Sequence, residues 1–285
     1  MRAPCAFKLD TMRLRLDISY DGTDFSGWGT QPRLRTVQGT IEQALMTLLR
    51  VDKPVRLVVA GRTDAGVHAS GQVAHVDIES PGDLTRFHRR LASILISDPD
   101  VRIRRVTEAP VGFDARFSPI ARRYEYRLVD DANLLDPLER HRVVVHTKAL
   151  DVDALNEAAT VLLGLRDFAS FCRPREGSTT IRELQEFTWR READGTLIAH
   201  LRADAFCHSM VRALVGACVA VGQARVSVPE LEGIRDAHQR TSHIKVMPPH
   251  GLNLVEVIYP ADEELAARAD QTRAKRDLAG IQPME

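Results

Sequence analysis

Apolar residues recur along the chain at two spacings, and the points where the spacing changes divide it into elements. Residues 13–20 alternate, with Leu14, Leu16, Ile18 and Tyr20 on one face, which predicts a strand ended by Asp21 and Gly22. Thr36 is placed to cap a helix in which Ile41, Leu45, Leu48 and Leu49 share a side. Apolar runs at residues 55–60 and 72–78 predict two strands, separated by a loop that holds Gly61 and Gly66. Asp83 then precedes a helical stripe of Leu84, Phe87, Leu91, Ile94 and Leu95, and residues 101–106 predict a closing strand. The order is β-α-β-β-α-β, the ferredoxin-like pattern.

The same order comes round again. Tyr124, Tyr126 and Leu128 alternate on a strand, and Asp151 opens a helix carrying Leu155, Leu162 and Leu163. Residues 183–190 and 196–203 predict a hairpin turned at Asp194 and Gly195. Val211, Leu214, Val215, Cys218 and Val219 form a helical stripe, a short helix follows Pro229, and residues 252–259 predict a last strand. The expected fold is α/β (α+β): two pseudo-symmetric ferredoxin-like half-units with mixed, largely antiparallel sheets and a groove between them, where ligand sites commonly lie. The first domain is expected over 12–110 and the second over 111–262. Residues 263–285 form a charged tail, read as a peripheral helix or a frayed end.

Composition narrows the classes. Hydrophobic residues at 44% and charged ones at 27% argue against disorder. No apolar run approaches the roughly 20 residues that span a bilayer, and the first residues lack the apolar stretch of a signal peptide, so a cytoplasmic protein is expected. Cys5, Cys172, Cys207 and Cys218 make no C-x-x-C pair and no zinc-like spacing with histidine, and read as scattered reduced thiols packed as small apolar groups. The formal charge is zero, which weakens the reading as a simple basic nucleic-acid binder. Of the 39 cations, Lys8, Lys53, Lys148, Lys245 and Lys275 are the lysines, and 39 − 5 leaves 34 arginines. Arginine suits bidentate phosphate contacts and base stacking.

The candidate chemistry lies in Gly61-Arg62-Thr63-Asp64-Ala65-Gly66-Val67-His68, a loop held between two predicted strands. Gly61 and Gly66 bracket the acid and allow unusual dihedrals. Arg62 is close enough in sequence to keep the Asp64 carboxylate ionised, and an ionised carboxylate can act as a covalent nucleophile. From the residues alone, an Asx-turn in which Asp64 bonds nearby amides is the stronger reading.

The same run, followed by Ser70-Gly71-Gln72-Val73, closely resembles the signature of the bacterial tRNA pseudouridine synthase A family, which modifies the anticodon arm. Further segments agree in order: Tyr20-Asp21-Gly22-Thr23 with Gly27-Trp28 and Gln31-Pro32; Thr36-Val37-Gln38-Gly39; Ala115-Arg116-Phe117-Ser118 through Arg122-Arg123-Tyr124-Glu125-Tyr126; residues 204–212; and Pro249-His250-Gly251-Leu252. The resemblance covers residues 13–259. Residues 91–100 depart from the family's Leu-Pro-x-Asp-Ile pattern.

The resemblance implies isomerisation of uridine to pseudouridine at positions 38–40 of tRNA, with no cofactor and no metal. Asp64 would be the nucleophile, attacking either C1′ of the ribose or C6 of the base. Tyr124 would pack on the uracil and assist removal of the C5 proton, while Tyr126 reads as a core residue. Arg212 would pair with Asp64 or hold a phosphate, and Arg62 belongs to the same substrate-binding set. His68 and His75 are expected to pack or hydrogen-bond rather than act as bases. Arg116, Arg122, Arg123, Arg173 and Arg175 are candidate phosphate contacts. A homodimer bridged by tRNA is implied as well.

Two other classes compete. A non-catalytic RNA-binding module would also use paired ferredoxin-like sheets, although aromatics are only 5% of the chain, thin for a stacking platform. Residues 18–23 resemble the strand end of magnesium-dependent phosphatases of the haloacid-dehalogenase type. The nucleophile of that motif would fall at Ser19, which is no carboxylate.

Overall fold

The structure is a computed structural model and describes residues 11–173, 179–240 and 243–273. The first half opens with β1 (Thr11–Tyr20), whose alternation buries Leu14, Leu16, Ile18 and Tyr20 as the sequence predicts. Helix α1 (Val37–Leu49) starts at Thr36, whose hydroxyl accepts from the Gly39 amide at 3.2 Å. Strand β2 is only Val58–Val59, shorter than the apolar run around it. The backbone just before it is taken by α1 side chains: Glu42 accepts from the Leu57 amide at 2.9 Å, and Gln38 donates to the Leu57 carbonyl at 3.4 Å. Strand β3 (His68–Glu79) begins at the last residue of the motif, four positions ahead of the run expected at 72–78. Helix α2 (Leu84–Ile94) is capped by Asp83, and β4 (Val101–Glu108) closes the unit.

The second half repeats the order with additions. It comprises β5 (Ala121–Val129), the short β6 (Val144–Val145), α3 (Val152–Thr160) capped by Asp151, and β7 (Gly164–Asp167). The hairpin β8 (Ile181–Arg191) and β9 (Leu197–Ala203) follows, then α4 (Met210–Gly222), α5 (Val228–Asp236) and β10 (Leu252–Ile258). Leu162 and Leu163 lie beyond the end of α3. Of the expected tail, α6 (Leu265–Arg273) is a helix that buries Leu265 and Ala269, while 274–285 lie outside the described residues.

Each half has the strand order of a ferredoxin-like unit, β4-β1-β3-β2 in the first and β10-β5-β9-β8 in the second. They are not two separate sheets, however. One ten-stranded sheet runs β4-β1-β3-β10-β5-β9-β8-β7, and one hydrophobic cluster includes core residues of both halves. The junction is a short parallel pairing of β3 with β10, Asn253 opposite His68 and Leu254 opposite Ala69. Both β10 and β2 use the same edge of β3, β10 at its start and β2 at its middle, which also keeps β2 short. Asn253 adds a side-chain bond to Ser70 at 3.1 Å.

The cysteine expectation is corrected. Cys172 and Cys207 are joined as a disulfide, with Cα atoms 5.8 Å apart. Their 35-residue separation hides the contact from any spacing rule, because the fold folds the start of α4 back onto the segment after β7. Cys218 is a buried free thiol, and Cys5 lies outside the described residues.

The seam leaves no room at Gly71: a Cβ there would stand 1.9 Å from the Val255 carbonyl oxygen, so only glycine allows β10 to approach. Gly71→Ala is expected to lower stability by about 2–3 kcal/mol. The check is the urea midpoint at constant slope; an unmoved midpoint would mean that β10 is not seated this closely.

Candidate active site

The loop between β2 and β3 is fixed before any ligand arrives. The Asp64 carbonyl accepts from the Val67 amide at 3.2 Å, and Gly66 has φ +77°, the conformation a type II turn requires at its third residue. Thr63 accepts the Trp28 amide on its carbonyl at 3.1 Å and shares a 2.8 Å hydrogen bond between its hydroxyl and that of Tyr20. Gln72 donates to the Gly61 carbonyl at 2.9 Å. Gly61 itself has open space around it and no positive φ, so only Gly66 meets the expectation made for the pair. The turn is closed through the Asp64 main chain, and the Asx-turn reading does not describe its side chain.

That side chain faces the other half. Arg212, in the first turn of α4, donates through Nη2 to Asp64 Oδ2 at 2.8 Å. Side-chain exposures of 16% and 27% make this a partly buried pair, less screened than a surface one. Arg212 is held in turn by the Met247 carbonyl at 3.2 Å and the Ser209 hydroxyl at 3.2 Å. Ser209 stands at the N-terminus of α4 with φ +64° and makes no capping bond of its own. Its hydroxyl instead reaches Asp64 Oδ2 at 3.4 Å. His208 Nε2 lies 3.3 Å from the other oxygen, Oδ1.

The sequence-predicted residues divide accordingly. Arg212 and Asp64 meet. Arg62 does not pair with Asp64; it is exposed, and its guanidinium lies against Gly29. Tyr124 is buried, with its ring edge-to-face with Phe206 at 5.1 Å. Burial, with smaller contributions from Tyr20 and the Asp64 charge, pushes its hydroxyl well above the usual phenol range against an opposing pull from Arg122. Tyr126 is a core residue bonded to the Pro248 carbonyl at 2.8 Å. His68 Nδ1 accepts from the Gly22 amide at 3.0 Å and lies 3.1 Å from Asp21 Oδ1, while its Nε2 lies 2.8 Å and 3.0 Å from the carbonyls of His141 and His250. His75 Nδ1 accepts from the Ala115 amide at 3.0 Å.

Ser209 and His208 were not singled out from sequence. One signal was available for Ser209: it precedes Arg212 by three residues, so both share a face of one helical turn. His208, just outside the helix, carries no such periodic mark.

Among the candidate phosphate arginines, Arg122 is corrected. It is buried and donates to three main-chain carbonyls: Asp204 at 2.5 Å, Ala60 at 2.9 Å and Arg116 at 3.2 Å. Ala60 begins the Asp64 loop and Asp204 begins the loop that leads to α4, so this guanidinium braces both approaches to the site. Arg123 pairs with Glu256 at 2.7 Å. Arg116 and Arg173 are exposed, and Arg175 lies outside the described residues. Asp21, the acid of the phosphatase-like segment, accepts from the Thr23 amide at 3.0 Å and its hydroxyl at 2.5 Å, a turn-forming role.

An acid on a rigid turn of one half, held by an arginine from a helix of the other, places the candidate site at the junction of two like units. A family model described as tRNA pseudouridine synthase matches residues 158–260. Named relatives match nearly the whole chain. The tRNA pseudouridine synthase A of Leifsonia xyli is 56% identical over 93% of this chain and 98% of its own length. That of Cutibacterium acnes is 53% identical over 93% and 95%, and that of Mycobacterium leprae 49% over 94% and 96%. The chain belongs to the tRNA pseudouridine synthase A family, and it is an isomerase acting on tRNA. No helix among the described residues is long and apolar enough to cross a membrane.

Replacing Arg122 by Met keeps the volume but leaves three buried carbonyls without their donor, each worth roughly 1–3 kcal/mol. The variant is expected to lose at least about 3 kcal/mol of stability in denaturant titration. A loss below about 1 kcal/mol would be no more than one ordinary hydrogen bond is worth, and would remove the brace from the account.

Proposed function

We propose that the enzyme converts uridine to pseudouridine at positions 38–40 of the tRNA anticodon stem-loop, with Asp64 as nucleophile. The observation that carries this reading is the Asp64 carboxylate, free of its own turn and held by Arg212 at 2.8 Å across the junction of the halves. An ionised carboxylate can act as a covalent nucleophile, and the protonated acid is a far weaker one. Arg212 accepts no proton at neutral pH, so it holds the carboxylate without neutralising it. The atom attacked is C1′ or C6.

The target base leaves its stack to reach Asp64. Tyr124, buried near the carboxylate, supports a role as the surface on which uracil packs, and such stacking contributes about 1–3 kcal/mol per base. Arg62, exposed beside the loop, is suited to a phosphate of the flanking backbone rather than to Asp64. The exchange of a C–N for a C–C glycosidic bond adds no atoms and calls for no hydride or group donor. We further propose that the enzyme works in the cytoplasm as a homodimer with tRNA contacting both copies, in line with the family it belongs to.

The test is pseudouridine formation on an unmodified tRNA transcript, mapped by position. Asp64→Asn is expected to lose at least about 10³-fold in rate while binding tRNA with near-parental affinity. Retained turnover in that variant would end the nucleophile assignment, and modification outside the anticodon arm would end the positional one.

A further inference from the structure

Moving the glycosidic bond from N1 to C5 requires a net transfer of one proton. C5 begins with a hydrogen that the product lacks there, and N1 ends with one. Some group at the site must therefore take the C5 proton after the new C5–C1′ bond has formed. We infer that this group is His208, an inference that rests on Asp64 being the nucleophile and adding at C6 of the base.

The other groups around the carboxylate are unsuited. With Asp64 added to C6, its oxygen is still bonded to the base when the C5 proton must leave. Arg212 has no acceptor, and the Ser209 hydroxyl is not basic at neutral pH. Tyr124 would have to be a phenolate, yet its burial disfavours the charged form. Imidazole is the side chain that exchanges protons near neutrality.

Geometry puts His208 where the proton would be released. Its Nε2 is 3.3 Å from Oδ1, the Asp64 oxygen that Arg212 does not hold. A C6 under attack by Oδ1 sits about 3–3.5 Å from it, and C5, its neighbour in the ring, then lies within reach of the same imidazole. The main chain at His208 is fixed on both sides: the Arg173 amide donates to its carbonyl at 3.0 Å, and Cys207 is tied to Cys172. The ring itself is 46% exposed, so a proton taken on Nε2 can be passed to water from Nδ1.

The free site and the loaded site differ in a useful way. In the free site, His208 Nε2 faces the Oδ1 of the carboxylate. Once Oδ1 has become the ester oxygen on C6, that charge is gone, and Nε2 can turn its electron pair to the C5 proton with the ring hydrogen on Nδ1. In the step itself the C5–H bond breaks and its proton goes to Nε2. The electron pair left behind re-forms the C5=C6 double bond as the C6–Oδ1 bond breaks and its pair leaves with the Asp64 carboxylate. The imidazolium then returns its proton to solvent or to N1, and no oxidant or reductant is consumed.

The experiment uses full-length protein and tRNA transcripts carrying uridine or C5-deuterated uridine, under single turnover, with Asp64→Asn in parallel. His208→Ala is expected to slow pseudouridine formation by about 10²–10⁴-fold, to leave tRNA affinity unchanged, to acquire a primary deuterium effect and to regain rate as imidazole is added. His208→Gln, which keeps a donor toward Oδ1 but cannot take a proton, is expected to be as slow as the alanine variant. Parental rates in His208→Ala, full recovery in His208→Gln, or a slow variant showing neither isotope effect nor imidazole rescue would each overturn the assignment. If Asp64→Asn is itself active, the nucleophile reading has failed, which is separable from failure at His208 alone.

Discussion

The structure turns on a parallel pairing only two residues long, β10 against β3. Each ferredoxin-like half could complete its own sheet, but neither contains a whole site. Asp64 projects from the turn just before β3, and Arg212 from α4, where it is bonded on both its carbonyl and its guanidinium to Met247 of the segment leading into β10. Fixing the two strands edge to edge therefore fixes the ends of both segments, and a 2.8 Å contact 148 residues apart in sequence follows from it. The shortness of β2 and the glycine at position 71 are consequences of sharing one edge of β3 between two partners.

Around that seam the polar groups are arranged so that the main chain is satisfied and Asp64 is left available. Thr63, Gly61 and the Asp64 carbonyl all have partners, and Arg122 ties the loop entrances together through carbonyls alone. Ser209 adopts a left-handed conformation that non-glycine residues rarely hold. It gives up a capping bond to turn its hydroxyl toward the carboxylate, and strain of this kind is characteristic of functional positions. The carboxylate thus has one oxygen clamped by Arg212 and Ser209, and one facing an exposed imidazole. That asymmetry separates holding the charge from handling the proton.

The repeat of β-α-β-β-α-β was legible because alternation and helical spacing are local properties, and Thr36, Asp83 and Asp151 each cap the helix that follows them. The merging of two sheets into one was not, since a two-residue parallel pairing leaves no periodic trace. Asp64 and Arg212 were legible as residues of a family signature, and neither spacing nor charge ties them to each other. Arg62 seemed the partner of Asp64 because it is near in sequence, yet the turn carries its side chain outward. Arg122 looked like one more surface cation on a strand; its burial depends on three carbonyls from three separate segments. The Cys172–Cys207 link was hidden for the same reason.

The most direct measurement concerns the bond Asp64 is held ready to make. A tRNA carrying 5-fluorouridine at the target position cannot lose a proton from C5, so an enzyme whose Asp64 adds to C6 should halt with the nucleotide still attached. Digestion and mass spectrometry of the halted complex are expected to find the nucleotide on the peptide containing Asp64, and to find none with Asp64→Asn. Attachment at any other residue, or an adduct that survives the Asp64 substitution, would contradict the account.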